Sequence, residues 1–131
     1  MIALDTNVLA RYLLADEPNQ AKAARALIED AKAEFWIPVT VVLELAWLLR
    51  VKKVPGDEIA ARLRDLFTLH GVRVQMPDAV HQALRWTAQG MDLADALHLA
   101  LSAKADRFAT FDDALVRQAR KLAAHPPASL L

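Results

Sequence analysis

Cysteine is absent from the 131 residues. That excludes a disulfide framework, a thiolate metal site and a cysteine nucleophile, and it is compatible with the cytosol. Glycine occurs only at Gly56, Gly71 and Gly90, too sparsely for a phosphate-binding P-loop or a dinucleotide fingerprint. The only serines, Ser102 and Ser129, do not sit in a nucleophile elbow. His70, His81, His98 and His125 show no i,i+3 or i,i+4 pairing and no HExxH pattern. His98 lies on an apolar helical stretch and reads as a packing or hydrogen-bonding residue. No excess of either charge exists, since 16 Lys and Arg balance 16 Asp and Glu. A broadly basic surface is thereby excluded, while a local basic groove stays open. No uncharged run reaches the roughly 20 residues that a membrane span needs. The opening "MIALDTNVLARYLLADEP" places its basic residue after the apolar run and interrupts that run with Asp5, unlike a signal peptide. A soluble, cytoplasmic protein with no membrane partner is expected.

What is present points to a folded α/β chain. Hydrophobic residues make up 55% and mean hydropathy is +0.17, which argues against disorder. No linker, repeat or low-complexity tract breaks the chain, so a single domain over residues 1–131 is expected. Short apolar runs at 2–4, 34–38, 72–74 and 107–111 read as four strands. Between them, Pro18, Pro77, Asp57 and Asp92 can open helices, and Gly71 and Gly90 can close them. This alternation predicts an α/β layered fold with a mainly parallel sheet. Trp36, Trp47 and Trp86 read as core or interface residues in preference to base-stacking ones.

The stretch "TVVLELAWLL" (40–49) poses the functional question, because it holds one carboxylate, Glu44, among apolar neighbours. A buried lone carboxylate is costly unless it is neutralised, hydrogen-bonded or bound to a cation. Either the helix has a wet edge there, or other residues supply a partner. Asp5 directly follows the first strand, Asp112 follows "RFATF", and Asp95 lies in the first turn of the helix before it. Sites in parallel sheets form outside the carboxyl ends of strands, so the pattern allows Asp5, Glu44, Asp95 and Asp112 to converge. Oxygen ligands without His or Cys suit Mg²⁺ or Mn²⁺ better than Zn²⁺. Each acid also has a plainer reading: Asp5 and Asp112 can cap helices, and Asp92 and Asp95 can favour a helix dipole, Asp92 as an N-cap.

The segments "LDTNVLARYLLADEPNQA", "IPVTVVLELAWLLR", "DLADALHLA" and "DRFATFDDAL" together resemble PIN-domain ribonucleases of the VapC toxin type, over Met1 to about Leu122. The resemblance implies a three-layer α/β/α PIN-like fold and metal-dependent endoribonuclease activity, with Mg²⁺ or Mn²⁺ as cofactor. It places the catalytic, metal-holding acids on Asp5, Glu44, Asp95 and Asp112, with Asp5 and Asp95 as the direct ligands. Polar helpers fall on Asn7, Thr6 and Thr110. Arg11, Arg50, Lys52 and Lys53 would meet RNA at the rim. The implied partners are RNA, a small cognate antitoxin and a second copy of the chain. The apolar Glu44 helix offers a surface for packing against a partner. Two alternatives remain: an acidic-pocket phosphatase or phosphotransfer domain, and a non-enzymatic module binding a basic peptide.

Overall fold

Strands in this protein are only two or three residues long, and the helices between them supply most of the packing surface. A computed structural model describes residues 1–131. In chain order the elements are β1 (Ile2–Ala3), α1 (Thr6–Leu14), α2 (Pro18–Ile28), β2 (Phe35–Ile37), α3 (Val39–Val51), α4 (Gly56–Phe67), β3 (Val72–Val74), α5 (Pro77–Ala88), α6 (Leu93–Ala100), β4 (Phe108–Thr110), α7 (Asp113–Lys121) and β5 (Ala128–Leu130). One sheet has the order β1-β2-β3, a second holds β4 and β5, and every pairing is parallel. Parallel neighbours need crossovers, which explains why helices fill the intervals. The expected α/β architecture with parallel strands is present.

The core explains which residues form which face. Phe35 and Ile37 of β2 are fully buried, and Val42, Leu45 and Leu49 of α3 pack with them in one contiguous cluster reaching from Leu4 to Ala124. Burying each such side chain contributes about 1.5–3 kcal/mol. On α3 the buried positions follow helical spacing, so Leu43, Glu44 and Trp47 are left on the outer side. The first N–H of α3, at Val39, donates to the side-chain oxygen of Gln75 at 3.0 Å. A residue just past β3 therefore satisfies a helix end that Pro38, in the N-cap position, cannot cap.

Three sequence expectations are corrected. Four strands were expected, but a fifth, β5, pairs with β4 through bonds such as Leu131 N–H to the Thr110 carbonyl at 2.9 Å. Its "ASL" segment has no alternation to announce a strand. Asp57 does not cap α4: Pro55 holds that position, and the Asp57 carboxylate accepts from the Glu58 N–H at 3.0 Å. Gly71 does not end α4 either. Thr68 is the C-cap, and Gly71 (φ +83°) turns the chain into β3, where an added Cβ would stand 2.6 Å from the Ala33 carbonyl oxygen.

Candidate functional site

Asp5 is delivered to its place by β1, whose exit is fixed by the Leu4 N–H donating to the Trp36 carbonyl at 3.0 Å. Asp5 occupies the N-cap position of α1 in extended conformation, but its side chain makes no capping bond. The carboxylate is exposed and free for other work. Glu44, two turns into α3, is also exposed, so the helix does have a wet edge and the worry about a buried lone charge is removed. Its partner within the chain is Thr6, whose buried hydroxyl donates to Glu44 Oε1 at 3.2 Å. Asp5, Thr6, Asn7, Glu44, Trp47 and Ala94 are among the residues lining one open cavity of about 460 Å³.

A second group of acids stands beside Ala94. Asp92 caps α6, accepting from the N–H groups of Ala94 at 2.9 Å and Asp95 at 3.3 Å, and it pairs with Arg50 at 3.1 Å. Asp95 is partly buried and accepts no hydrogen bond. Burial, and then the negative charges of Asp92 and Asp112, hold its carboxyl above the usual carboxylate range; His98 and Arg50 pull it back. Asp112, at the end of β4, accepts from the Leu115 N–H at 3.1 Å, while its own N–H donates to Thr110 Oγ1 at 3.0 Å. The capping reading thus describes Asp112 and Asp92 but not Asp5.

The four acids form two neighbouring pairs: Asp5 with Glu44 around one cavity, and Asp95 with Asp112 through their charges. In these positions no three Asp, Glu or His side chains come together in a group able to hold one metal ion. The donor chemistry nevertheless fits a hard divalent cation, since all four groups are carboxylates and Asp95 is held above the usual carboxylate range.

The basic residues are largely engaged with acids. Arg11 contacts Asp16 at 3.1 Å and Gln20 at 2.7 Å, Lys52 lies 3.7 Å from Asp16, and Arg50 holds Asp92. Lys53 is exposed and unpaired, in a left-handed backbone conformation with φ 59°. His98, expected to pack or to hydrogen-bond, is exposed and accepts from Ser102 Oγ only through its backbone carbonyl. Among the tryptophans, Trp86 is buried and Trp36 half-buried, but Trp47 is 66% exposed at the cavity. That placement departs from the core reading of Trp47 and leaves the interface one open. The available signal was helical phase: Trp47 falls one turn from Leu43 and one from Val51, off the buried line of Val42, Leu45 and Leu49.

Parallel strands on a frame of helical crossovers, with Asp5 following β1 and Asp112 following β4, define an α/β protein. The PIN domain family matches residues 2–121, and the chain belongs to that family. PIN domains are generally metal-dependent nucleases. Comparisons with curated proteins and with solved structures give no significant match. No helix is long and apolar enough to cross a membrane.

Proposed function

We propose that this chain is a single-domain, Mg²⁺- or Mn²⁺-dependent endoribonuclease of the VapC type, the toxin of a toxin–antitoxin pair. The observation that carries the reading is the state of Asp5. This carboxylate occupies a helix N-cap position yet caps nothing, and it faces the same cavity as Glu44. Asp5 and Asp95 would hold the cation, with Glu44 and Asp112 completing the acidic set. When bound, a divalent cation neutralises charge on the phosphate and lowers the pKa of water so that hydroxide is available near neutral pH.

The chain's own groups have separable tasks. Thr6 fixes one oxygen of Glu44, leaving the other free to accept a proton from water or a ligand. Thr110 and the Leu115 N–H fix the turn that carries Asp112. Asn7 is exposed at the cavity and can donate to a phosphoryl oxygen. Arg11, Arg50 and Lys52 form surface ion pairs worth less than about 1 kcal/mol each, so a phosphate backbone can exchange for their partners at little cost.

The antitoxin reading gains support from a different place than the Glu44 helix. An open, mainly apolar cavity of about 360 Å³ runs between α1 and α2, lined by Val8, Ala24 and Leu27. Asn7 lines both this groove and the carboxylate cavity. A peptide seated there could extend a basic side chain to Asp5 and Glu44, replacing the charge of the metal. A second copy of the chain is the other partner that belongs to this reading. Cleavage of total cellular RNA by purified protein, with Mg²⁺, with Mn²⁺ and with chelator, tests the proposal. Discrete fragments that need metal and vanish in folded Asp5→Asn and Asp95→Asn variants are expected. Metal binding without any cleavage would instead favour phosphatase or phosphotransfer chemistry.

A further inference from the structure

We propose that Trp47 and Phe111 are stacking platforms for unpaired bases next to the phosphate that the carboxylates engage; this rests on the nuclease reading above. The starting observation concerns all the aromatic residues. Phe35, Phe67 and Trp86 are buried, and Tyr12, Trp36 and Phe108 are partly buried. The two that remain exposed are Trp47 at 66% and Phe111 at 82%. Trp47 is near an acid in space, and Phe111 is next to one along the chain. Trp47 lines the cavity of Asp5 and Glu44, and Phe111 immediately precedes Asp112, whose charge reaches Asp95.

Exposed apolar residues scattered singly need no explanation, but the only two exposed aromatic rings are one that lines the cavity of Asp5 and Glu44 and one that adjoins Asp112 in the chain. Four acids repel a polyanion, and the rim residues Arg11, Arg50 and Lys52 must first give up acid partners, so contacts to parts of the RNA other than phosphate add affinity that the acidic set does not supply. Bases offer that affinity because every base has a π-face, and stacking on aromatic side chains is tolerant of sequence. A paired base keeps its faces inside the duplex, so the same contacts discriminate against double-stranded RNA. The rival occupant is a protein surface covering α3, where Leu43, Trp47 and Val51 fall on one line. Phe111 is not on that line; it belongs to the β4–α7 connection, and what it shares with Trp47 is the adjacent acid.

The test is a binding measurement with a mixed-sequence oligoribonucleotide of about 16 nucleotides, single-stranded or annealed to its complement. Ca²⁺ replaces Mg²⁺, and the RNA is checked for integrity afterwards. Trp47→Ala and Phe111→Ala are each expected to weaken single-strand binding by roughly 5- to 150-fold and to leave duplex binding unchanged. Trp47→Phe and Phe111→Tyr should retain most of it, whereas the apolar Trp47→Leu should not. RNA should quench tryptophan emission in the wild-type protein and much less in Trp47→Phe, although that variant still binds. Wild-type protein that cuts RNA with metal, while both alanine variants bind and cut as well as it does, overturns the stacking assignment alone. The same follows if alanine variants change only the sedimentation of the protein, which would identify a protein contact. Wild-type protein that neither binds nor cuts RNA overturns the nuclease reading together with this one.

Discussion

Asp95 carries a cost that the fold relieves only in part. Burial and the charges of Asp92 and Asp112 raise its pKa above the ordinary value of 3.8. Folding therefore favours the protonated form: that contribution is fully present below the unfolded value and is lost as pH rises through the raised, folded value. Asp95→Asn should make the metal-free protein more thermally stable than wild type near neutral pH, and the gain should vanish in acid, below about pH 3.8. Melting scans across pH check this, and RNA cleavage by the same variant should be abolished. Stability gained where activity is lost is what a functional acid would show, and a merely structural one would not. Thr6 gives a complementary case. Thr6→Val keeps the shape but removes the donor to Glu44, so cleavage should fall by about 10- to 100-fold while stability changes by about 1 kcal/mol at most. Rate measurements beside denaturant titrations separate the two effects.

Among the elements, α6 shows how a cap and a site can share one residue. Asp92 satisfies two N–H groups of α6 and also raises the pKa of Asp95. Asp92→Ala is expected to cost about 1 kcal/mol of stability through the lost cap; the same change should move the Asp95 pKa downward, a shift that NMR titration of the carboxyl would read. This N-cap was legible from sequence because Asp precedes a strongly apolar helical run. So were the helices opened by Pro18 and Pro77 and the strand that carries Phe35 and Ile37. β5 was not, since its pairing depends on a neighbour far away in the chain instead of on its own pattern. The exposure of Glu44 was hidden for a related reason. An apolar neighbourhood in sequence does not state which side of α3 meets the core, and Leu43 and Trp47 are apolar without being buried. Asp5 and Asp112 stood out by their positions after strands and Glu44 by its apolar neighbours, but the division of the acids into two pairs depends on how α3, α6 and β4 are placed in space.

Across the whole molecule, the balance of charge frames how a cation would act. The net formal charge is zero and the sequence pI is about 6.9, so any attraction for a metal must come from the local acids. A cation that binds only the folded chain stabilises it by about 2.7 kcal/mol at a concentration one hundred times its dissociation constant. Mg²⁺ or Mn²⁺ should therefore raise the melting temperature of the wild-type protein. Asp5→Asn and Asp95→Asn should both lose that response. A melting temperature indifferent to metal in wild type would remove the acidic set as a cation site.

The pairing of β4 with β5 has a consequence for anyone trimming this protein to its smallest active unit. The family match ends at residue 121, which makes a cut soon after Lys121 look harmless. Yet β5 is the only strand beside β4, and β4 ends at Thr110 and leads directly to Phe111 and Asp112. A shortened chain would keep every acidic residue, yet β4 would lose its strand partner and Asp112 would be held from the α7 side alone. The boundary of recognisable ancestry and the boundary of mechanical support fall at different residues.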